Sequence, residues 1–95
     1  MKVTFDSVAV FDEKSRAVRF AGRYLGQRKT ERFMICRVSP EALAKLCNVP
    51  EPTPEAMIEA YASNRDSIND IAIRKLIAGE HRPVIGLDDL LTLPD

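Results

Sequence analysis

The sequence has few of the residues on which most enzyme and metal sites depend. Its 95 residues include one histidine, two cysteines and no tryptophan, and aromatic residues make up 6%. A single histidine excludes His-rich zinc sites, and Cys36 and Cys47 form no Cys-x-x-Cys pair. The low aromatic content supplies no stacking platform for single-stranded nucleic acid. We therefore expect no metal ion and no cofactor.

Long hydrophobic runs are also missing. No apolar stretch approaches the ~20 residues that span a bilayer, and the first residues lack the apolar segment of a secretory signal. These absences predict a cytoplasmic protein with no membrane partner. In a reducing cytoplasm the two cysteines are expected to be small core residues rather than a disulfide. The length predicts a single domain over 1–95.

The few reactive side chains are not arranged for catalysis. His81 lies in a charged, polar stretch, which is typical of a solvated loop. Cys36 alternates with Met34 and Val38, which predicts a place in the core. No nucleophile and base are recognisable as a pair, and the glycines lack the Lys-Ser/Thr that completes a phosphate-binding loop. The sequence therefore predicts no enzymatic activity.

Alternating apolar residues predict N-terminal strands. The first lies within 2–11, as one strand or as two short extended pieces. The second covers 16–24 and the third 30–38, and a connection at Gly26 joins them as a hairpin. Because neighbouring strands in a hairpin run in opposite directions, this segment predicts an antiparallel sheet of about three strands.

Helix-start signals follow the strands. Ser39 and Thr53 are each followed by a proline and a glutamate, so a capping hydroxyl precedes each first turn. The sequence leaves open whether 54–78 forms one helix or two. A short strand begins after Pro83, and a turn and weakly ordered tail are expected over 88–95. This order predicts a two-layer α+β domain with two or three helices and a closing strand.

The net charge of zero conceals an uneven layout. Residues 14–37 carry eight bases and one acid, for +7, and the rest of the chain carries −7. The cations proposed to contact a partner or nucleic acid are Arg19, Arg23, Arg28, Lys29, Arg32 and Arg37. A basic two-stranded ribbon can enter a DNA groove or hold phosphates. Alternatively, these side chains pair with helical acids such as Glu55, Glu59, Asp66 and Asp70.

The third strand is apolar on both faces. Met34 and Cys36 lie on one face, while Phe33 and Ile35 lie on the other. If the helices cover only one side, Phe33 and Ile35 form an exposed apolar patch surrounded by Arg19, Arg23 and Arg37. Such patches mark interfaces. This favours a protein-interaction or regulatory module that binds another protein or a second copy of itself. The alternative is a nucleic-acid-binding protein that uses the basic hairpin of residues 16–37.

Residues spread along nearly the whole chain form a pattern, which consists of Phe5, Val18-Arg19-Phe20, Cys36-Arg37-Val38-Ser39, Glu41-Ala42-Leu43, Asn64-Arg65, Ile68, Ile71-Ala72, Lys75 and Asp89. The pattern resembles a family of small bacterial proteins catalogued as domain of unknown function 1488. The resemblance implies a two-layer α+β domain of bacterial origin and implies no activity or catalytic residues. This sequence departs from the family in its more basic hairpin around Arg28 and its proline-rich loop over 50–54.

Overall fold

A computed structural model describes residues 2–91 of the chain. The sheet consists of β1 (Val3–Phe5), β2 (Val10–Asp12), β3 (Ala17–Leu25), β4 (Glu31–Val38) and β5 (Val84–Ile85). The helices are α1 (Pro40–Cys47), α2 (Pro54–Ser63), α3 (Arg65–Ile77) and α4 (Leu87–Leu91). Strands come first, helices follow and one short strand closes the sheet, so the predicted α+β architecture is confirmed.

The long strand β3 organises the sheet. On one side, β1 pairs with the C-terminal half of β3 and β2 pairs with its N-terminal half, both antiparallel. On the other side, β4 runs antiparallel to β3, and β5 then joins β4 in parallel. The sheet is therefore mixed, because the closing strand returns after the helices. The predicted first strand is two short pieces, which was one of the two expected forms.

The hydrophobic core lies between one face of the sheet and the helices. Side chains alternate along a strand, so Val18, Phe20, Met34, Cys36 and Val38 point to the same side, where all are at most 2% exposed. From the helices, Leu43, Met57, Tyr61, Ile68 and Ala72 complete this cluster. Burial of each large apolar side chain contributes ~1.5–3 kcal/mol. The two layers are thus held together mainly by apolar packing on this side of the sheet.

The helix-start signals are confirmed by hydrogen bonds. The Ser39 hydroxyl accepts from the backbone N–H of Ala42 at 3.1 Å, and the Thr53 hydroxyl accepts from that of Ala56 at 3.2 Å. Residues 54–77 form two helices, because Asn64 leaves the helical conformation with a φ of −117° and a ψ of 19°. No helix within residues 2–91 is long and apolar enough to cross a membrane.

The prediction for the C-terminal segment was wrong for residues 88–91, which form most of α4 rather than a turn and a tail. The Asp89 carboxylate accepts from the backbone N–H of Gly86 at 2.8 Å, and its other oxygen lies 3.2 Å from the Lys75 ammonium. These contacts, together with Leu90 packed against the core, stabilise a helix too short to persist alone. Residues 92–95 of the expected tail lie outside the described residues.

Candidate docking surface

The side of the sheet opposite the helices carries mostly exposed side chains, although Ala17 at one end of it is buried and Arg37 is partly buried. Because side chains alternate along a strand, those that do not point into the core lie on this side of the sheet. We call this surface the open face and define it by Val10, Arg19, Ala21, Arg23, Phe33, Ile35, Arg37 and Val84, which occupy matching positions in the strand register. It is the one sheet surface available to a partner without disturbing the core.

Large apolar side chains are exposed on the open face. Phe33 is 67% exposed and Ile35 is 42% exposed, as the alternation of β4 predicts. Val10 and Val84, from the strands on either side, are 49% and 48% exposed. Val8 follows β1 and lines a shallow depression with several open-face residues, Val10, Arg19, Ala21 and Ile35 among them. The sequence-predicted patch is therefore present, and its role in binding stays a prediction.

Two arginines lie directly opposite each other on the open face. Arg19 of β3 is the register partner of Arg37 of β4. In the same row, Val10 neighbours Arg19 and Val84 neighbours Arg37. Like charges opposite each other destabilise a sheet, by ~0.2–1 kcal/mol for a typical pair. The Arg37 Nε is buried and has no hydrogen-bond partner among the described residues, so this arrangement does not serve the stability of the sheet.

The arginines of the hairpin are not neutralised by the helices. Within residues 2–91, the ion pairs shorter than 4.0 Å join Lys75 to Glu80, at 3.6 Å, and to Asp89, at 3.2 Å. Arg19, Arg23 and Arg37 form none with the helical acids, because the helices pack on the other side of the sheet. The alternative that helical acids pair with the basic hairpin is therefore wrong for these three arginines.

Asp12 is the acid whose charge interacts with the arginine pair. A hydrogen bond from the Ser15 hydroxyl, at 2.8 Å, is the main cause that lowers the pKa of Asp12. Burial, the next largest effect, raises this pKa, and the Lys14 backbone N–H and the positive charges of Arg19 and Arg37 make smaller contributions that lower it. Asp12 forms no ion pair within 4.0 Å with either Arg19 or Arg37, so this carboxylate does not bridge the two guanidinium groups.

The remaining predicted cations lie at the hairpin tip. Residues 27–33 are all exposed, so the tip projects beyond the core. Arg28 and Lys29 have φ angles of 61° and 58°, the left-handed region that is uncommon for residues other than glycine. The side chain of Arg32 covers Gly26, where an added Cβ would lie 2.7 Å from the Arg32 Nε. The six predicted contacts thus divide into the open-face arginines and a separate tip of Arg28, Lys29 and Arg32.

Cys36 and His81 are placed as the sequence predicts, whereas Cys47 lies outside the core cluster. Cys36 is fully buried, and burial raises the pKa of its thiol to about 12, so the thiol is neutral at physiological pH. Cys47 is half-buried, and its thiol donates to the carbonyl of Ala56 at 3.5 Å. Both cysteines are free, and His81 is exposed in the connection before β5. Within residues 2–91, no three His, Cys, Asp or Glu side chains are grouped to hold a metal ion.

Val8, Val10 and Val84 belong to the apolar surface and were not predicted to do so. The sequence shows that Val10 is an apolar residue in an alternating segment. The face of the sheet to which its side chain points depends on the pairing of β2 with β3. Val84 reaches the open face because β5 joins the sheet beside β4 after 45 intervening residues. No local signal in the sequence reveals that pairing.

Comparison with known proteins gives a family and a fold but no activity. Residues 3–85 match a family described as "Protein of unknown function (DUF1488)". The chain is also similar to a crystal structure of a protein of unknown function from this family in Shewanella loihica PV-4, with a TM-score of 0.69 and 17% identity. That similarity covers 90% of this chain and 94% of the other. No curated protein matches the chain. Because the family match extends over nearly the whole sequence, the chain belongs to the DUF1488 family.

Proposed function

We propose that this protein is a non-catalytic protein-interaction module and that the open face is its docking surface. The observation that carries the proposal is the exposure of Phe33, which is 67% accessible on a sheet face with no covering element in residues 2–91. Exposed large apolar side chains with charged residues around them are typical of interaction sites. The neutral, buried thiol of Cys36 supports a role without nucleophilic catalysis.

The charge on the open face favours a partner that carries acidic groups. Arg19, Arg23 and Arg37 form no ion pair with any acid of residues 2–91. A second copy of the chain would bring a second face with the same excess of arginine against this one, at a cost in repulsion. An acidic surface would instead neutralise them while its apolar residues cover Phe33 and Ile35. We therefore place another protein, rather than a second copy, on this face. Free thiols are consistent with the reducing cytoplasm as the compartment.

Site-specific photo-crosslinking tests the proposal. Benzoylphenylalanine replaces Phe33 in cells that make the protein naturally, and the matched control carries it at Ile77, which is 63% exposed on α3. We expect one discrete protein to crosslink at position 33 and not at position 77. The purified partner should then bind the wild-type chain and the Ile77→Asp variant, and should fail to bind Ile35→Asp.

Two results would contradict the proposal. The first is no adduct at position 33, or the same adducts at positions 33 and 77, since exposure alone would then explain the crosslinking. The second is an adduct near twice 10.6 kDa, which would place a second copy on the open face. Light scattering supplies an independent check, because the proposal expects a monomer of 10.6 kDa in the absence of a partner.

A second candidate function is nucleic-acid binding by the basic hairpin. It is favoured by the projecting tip, where Arg28 and Lys29 are exposed and hold their backbone in the left-handed region. The test is a mobility shift with labelled duplex and single strands at low salt, with Arg28→Glu/Lys29→Glu as the control variant. Binding that weakens steeply with added salt and disappears in the variant would favour this function. Absence of a shift at micromolar protein would exclude it.

A further inference from the structure

We infer that Arg19 and Arg37 together form a subsite for one carboxylate of the partner. The open face would then select a protein segment in which Asp or Glu lies between apolar residues. This inference rests on the proposed function, and it specifies the chemistry of the partner.

The register places the side chains of Arg19 and Arg37 side by side, so that one carboxylate between them can reach both. Residues directly opposite in an antiparallel pair have Cβ atoms ~4.5–5.5 Å apart, and Arg19 and Arg37 are such a pair. A carboxylate has two oxygens and accepts several N–H bonds, often bidentate from arginine. Bound between the two side chains, it would replace their mutual repulsion by attraction to a shared anion.

The chain itself leaves this position without a carboxylate. Neither arginine forms an ion pair within residues 2–91, and the buried Nε of Arg37 has no hydrogen-bond partner there. Both arginines interact electrostatically with the carboxylate of Asp12. Its carboxylate is held by the Ser15 hydroxyl at 2.8 Å and the Lys14 N–H at 3.2 Å. Arg37 is partly exposed, so the terminal amino groups of its guanidinium, rather than the buried Nε, are the donors offered to a ligand from outside.

The neighbours of the pair favour a peptide over a nucleic acid. Val10 and Val84 border the two arginines in the same row across the sheet and are about half exposed, 49% and 48%. Ile35 lies next along β4. A pair of cations bordered by apolar side chains in its own row suits an acidic residue with apolar neighbours. A nucleic-acid backbone carries one charge per nucleotide and would need a continuous row of cations.

Selection of random displayed peptides on the full-length protein tests the inference. Selected peptides are labelled, and their binding is measured by fluorescence anisotropy. We expect them to carry Asp or Glu between apolar residues, and Arg19→Gln or Arg37→Gln to weaken binding about ten- to a hundredfold. Replacing the peptide acid by its amide should cost the same factor and should add little in the arginine variants. Arg74→Gln, at an exposed position of α3, is the matched control and should bind as the wild type does.

The outcomes separate the inference from the proposed function. Peptides that depend on Phe33 but bind the Arg19→Gln and Arg37→Gln variants normally would overturn the carboxylate subsite and leave the docking face standing. If selection yields no peptide that depends on Phe33, measured with Phe33→Ser, both the docking face and the subsite are wrong. Circular dichroism of each variant confirms that lost binding is not lost folding.

Discussion

Replacing Arg19 by glutamine should stabilise the unliganded protein. Arg19 and Arg37 are register partners on an exposed face, and like charges in this position cost ~0.2–1 kcal/mol. Glutamine keeps much of the side-chain length and removes the repulsion. We therefore expect the free energy of unfolding to rise by ~0.2–1 kcal/mol, reduced by the weak attraction between Arg19 and Asp12 that is lost with the charge.

Urea denaturation followed by circular dichroism measures the effect. For a small domain with an m-value of ~1 kcal/mol/M, the gain corresponds to a midpoint shift of ~0.2–1 M. Salt should stabilise the wild type more than Arg19→Gln, because it screens the repulsion that the variant lacks. Arg74→Gln on α3 is the matched control for the loss of one positive charge and should leave the midpoint nearly unchanged.

A double-mutant cycle tests whether the gain comes from this pair. Once Arg37 is also glutamine, Arg19→Gln should bring no further stabilisation. The reasoning would be refuted if Arg19→Gln destabilised the chain, or if its effect were the same with and without Arg37. Either result would mean that Arg19 is held by an attractive contact within the protein, and the carboxylate subsite would lose its physical basis.

Three other predictions concern the core and the helix starts. Burial raises the pKa of the Cys36 thiol from 9.0 to about 12, so the folded state holds the thiol proton more tightly than the unfolded chain does. The free energy of unfolding should therefore be unchanged below about pH 9 and should fall above it by up to ~1.4 kcal/mol per pH unit. Unfolding measured from about pH 8 to about pH 10 should show a steeper loss in the wild type than in Cys36→Ala, and equal slopes would refute this. A thiol reagent should modify the half-buried Cys47 in the native protein and Cys36 only on unfolding, so two equally fast thiols would contradict the buried position of Cys36. Thr53→Ala should cost about 1 kcal/mol in a urea titration, because the Ala56 N–H loses its capping acceptor, and an unchanged midpoint would show that the cap contributes nothing.

Much of the fold could be predicted because its determinants are local. The alternation in β3 and β4 assigned their inward and outward faces, since side chains in a strand have a period of two. The capping residues Ser39 and Thr53 marked two helix starts, because only a few residue types satisfy free backbone N–H groups there. The sequence marks 63–64 as a position where 54–78 could divide and leaves the division itself open. The helix over 87–91 could not be predicted, since it depends on contacts of Asp89 with Lys75 and of Leu90 with the core.

The candidate site could be predicted in its components and not in its arrangement. The six cations and the two apolar residues Phe33 and Ile35 follow from composition and alternation. Their separation into the open face and the hairpin tip also follows from strand alternation and the position of the turn, whereas the strand register decides that Arg19 lies beside Arg37. Register is set by packing along the whole hairpin, so a list of basic residues cannot reveal which of them are neighbours.

The sequence by itself determined the α+β class, the basic hairpin and the inward position of Cys36, because these follow from residue type and local periodicity. The two-layer prediction already placed the helices on one face of the sheet, and only the tertiary structure decided that β5 joins beside β4 and that the helical acids lie away from the open-face arginines. Those features are long-range pairings, whose free energy comes from burying apolar surface between segments far apart in the chain. The same packing that protects the core leaves Phe33 and the Arg19–Arg37 pair open to a partner.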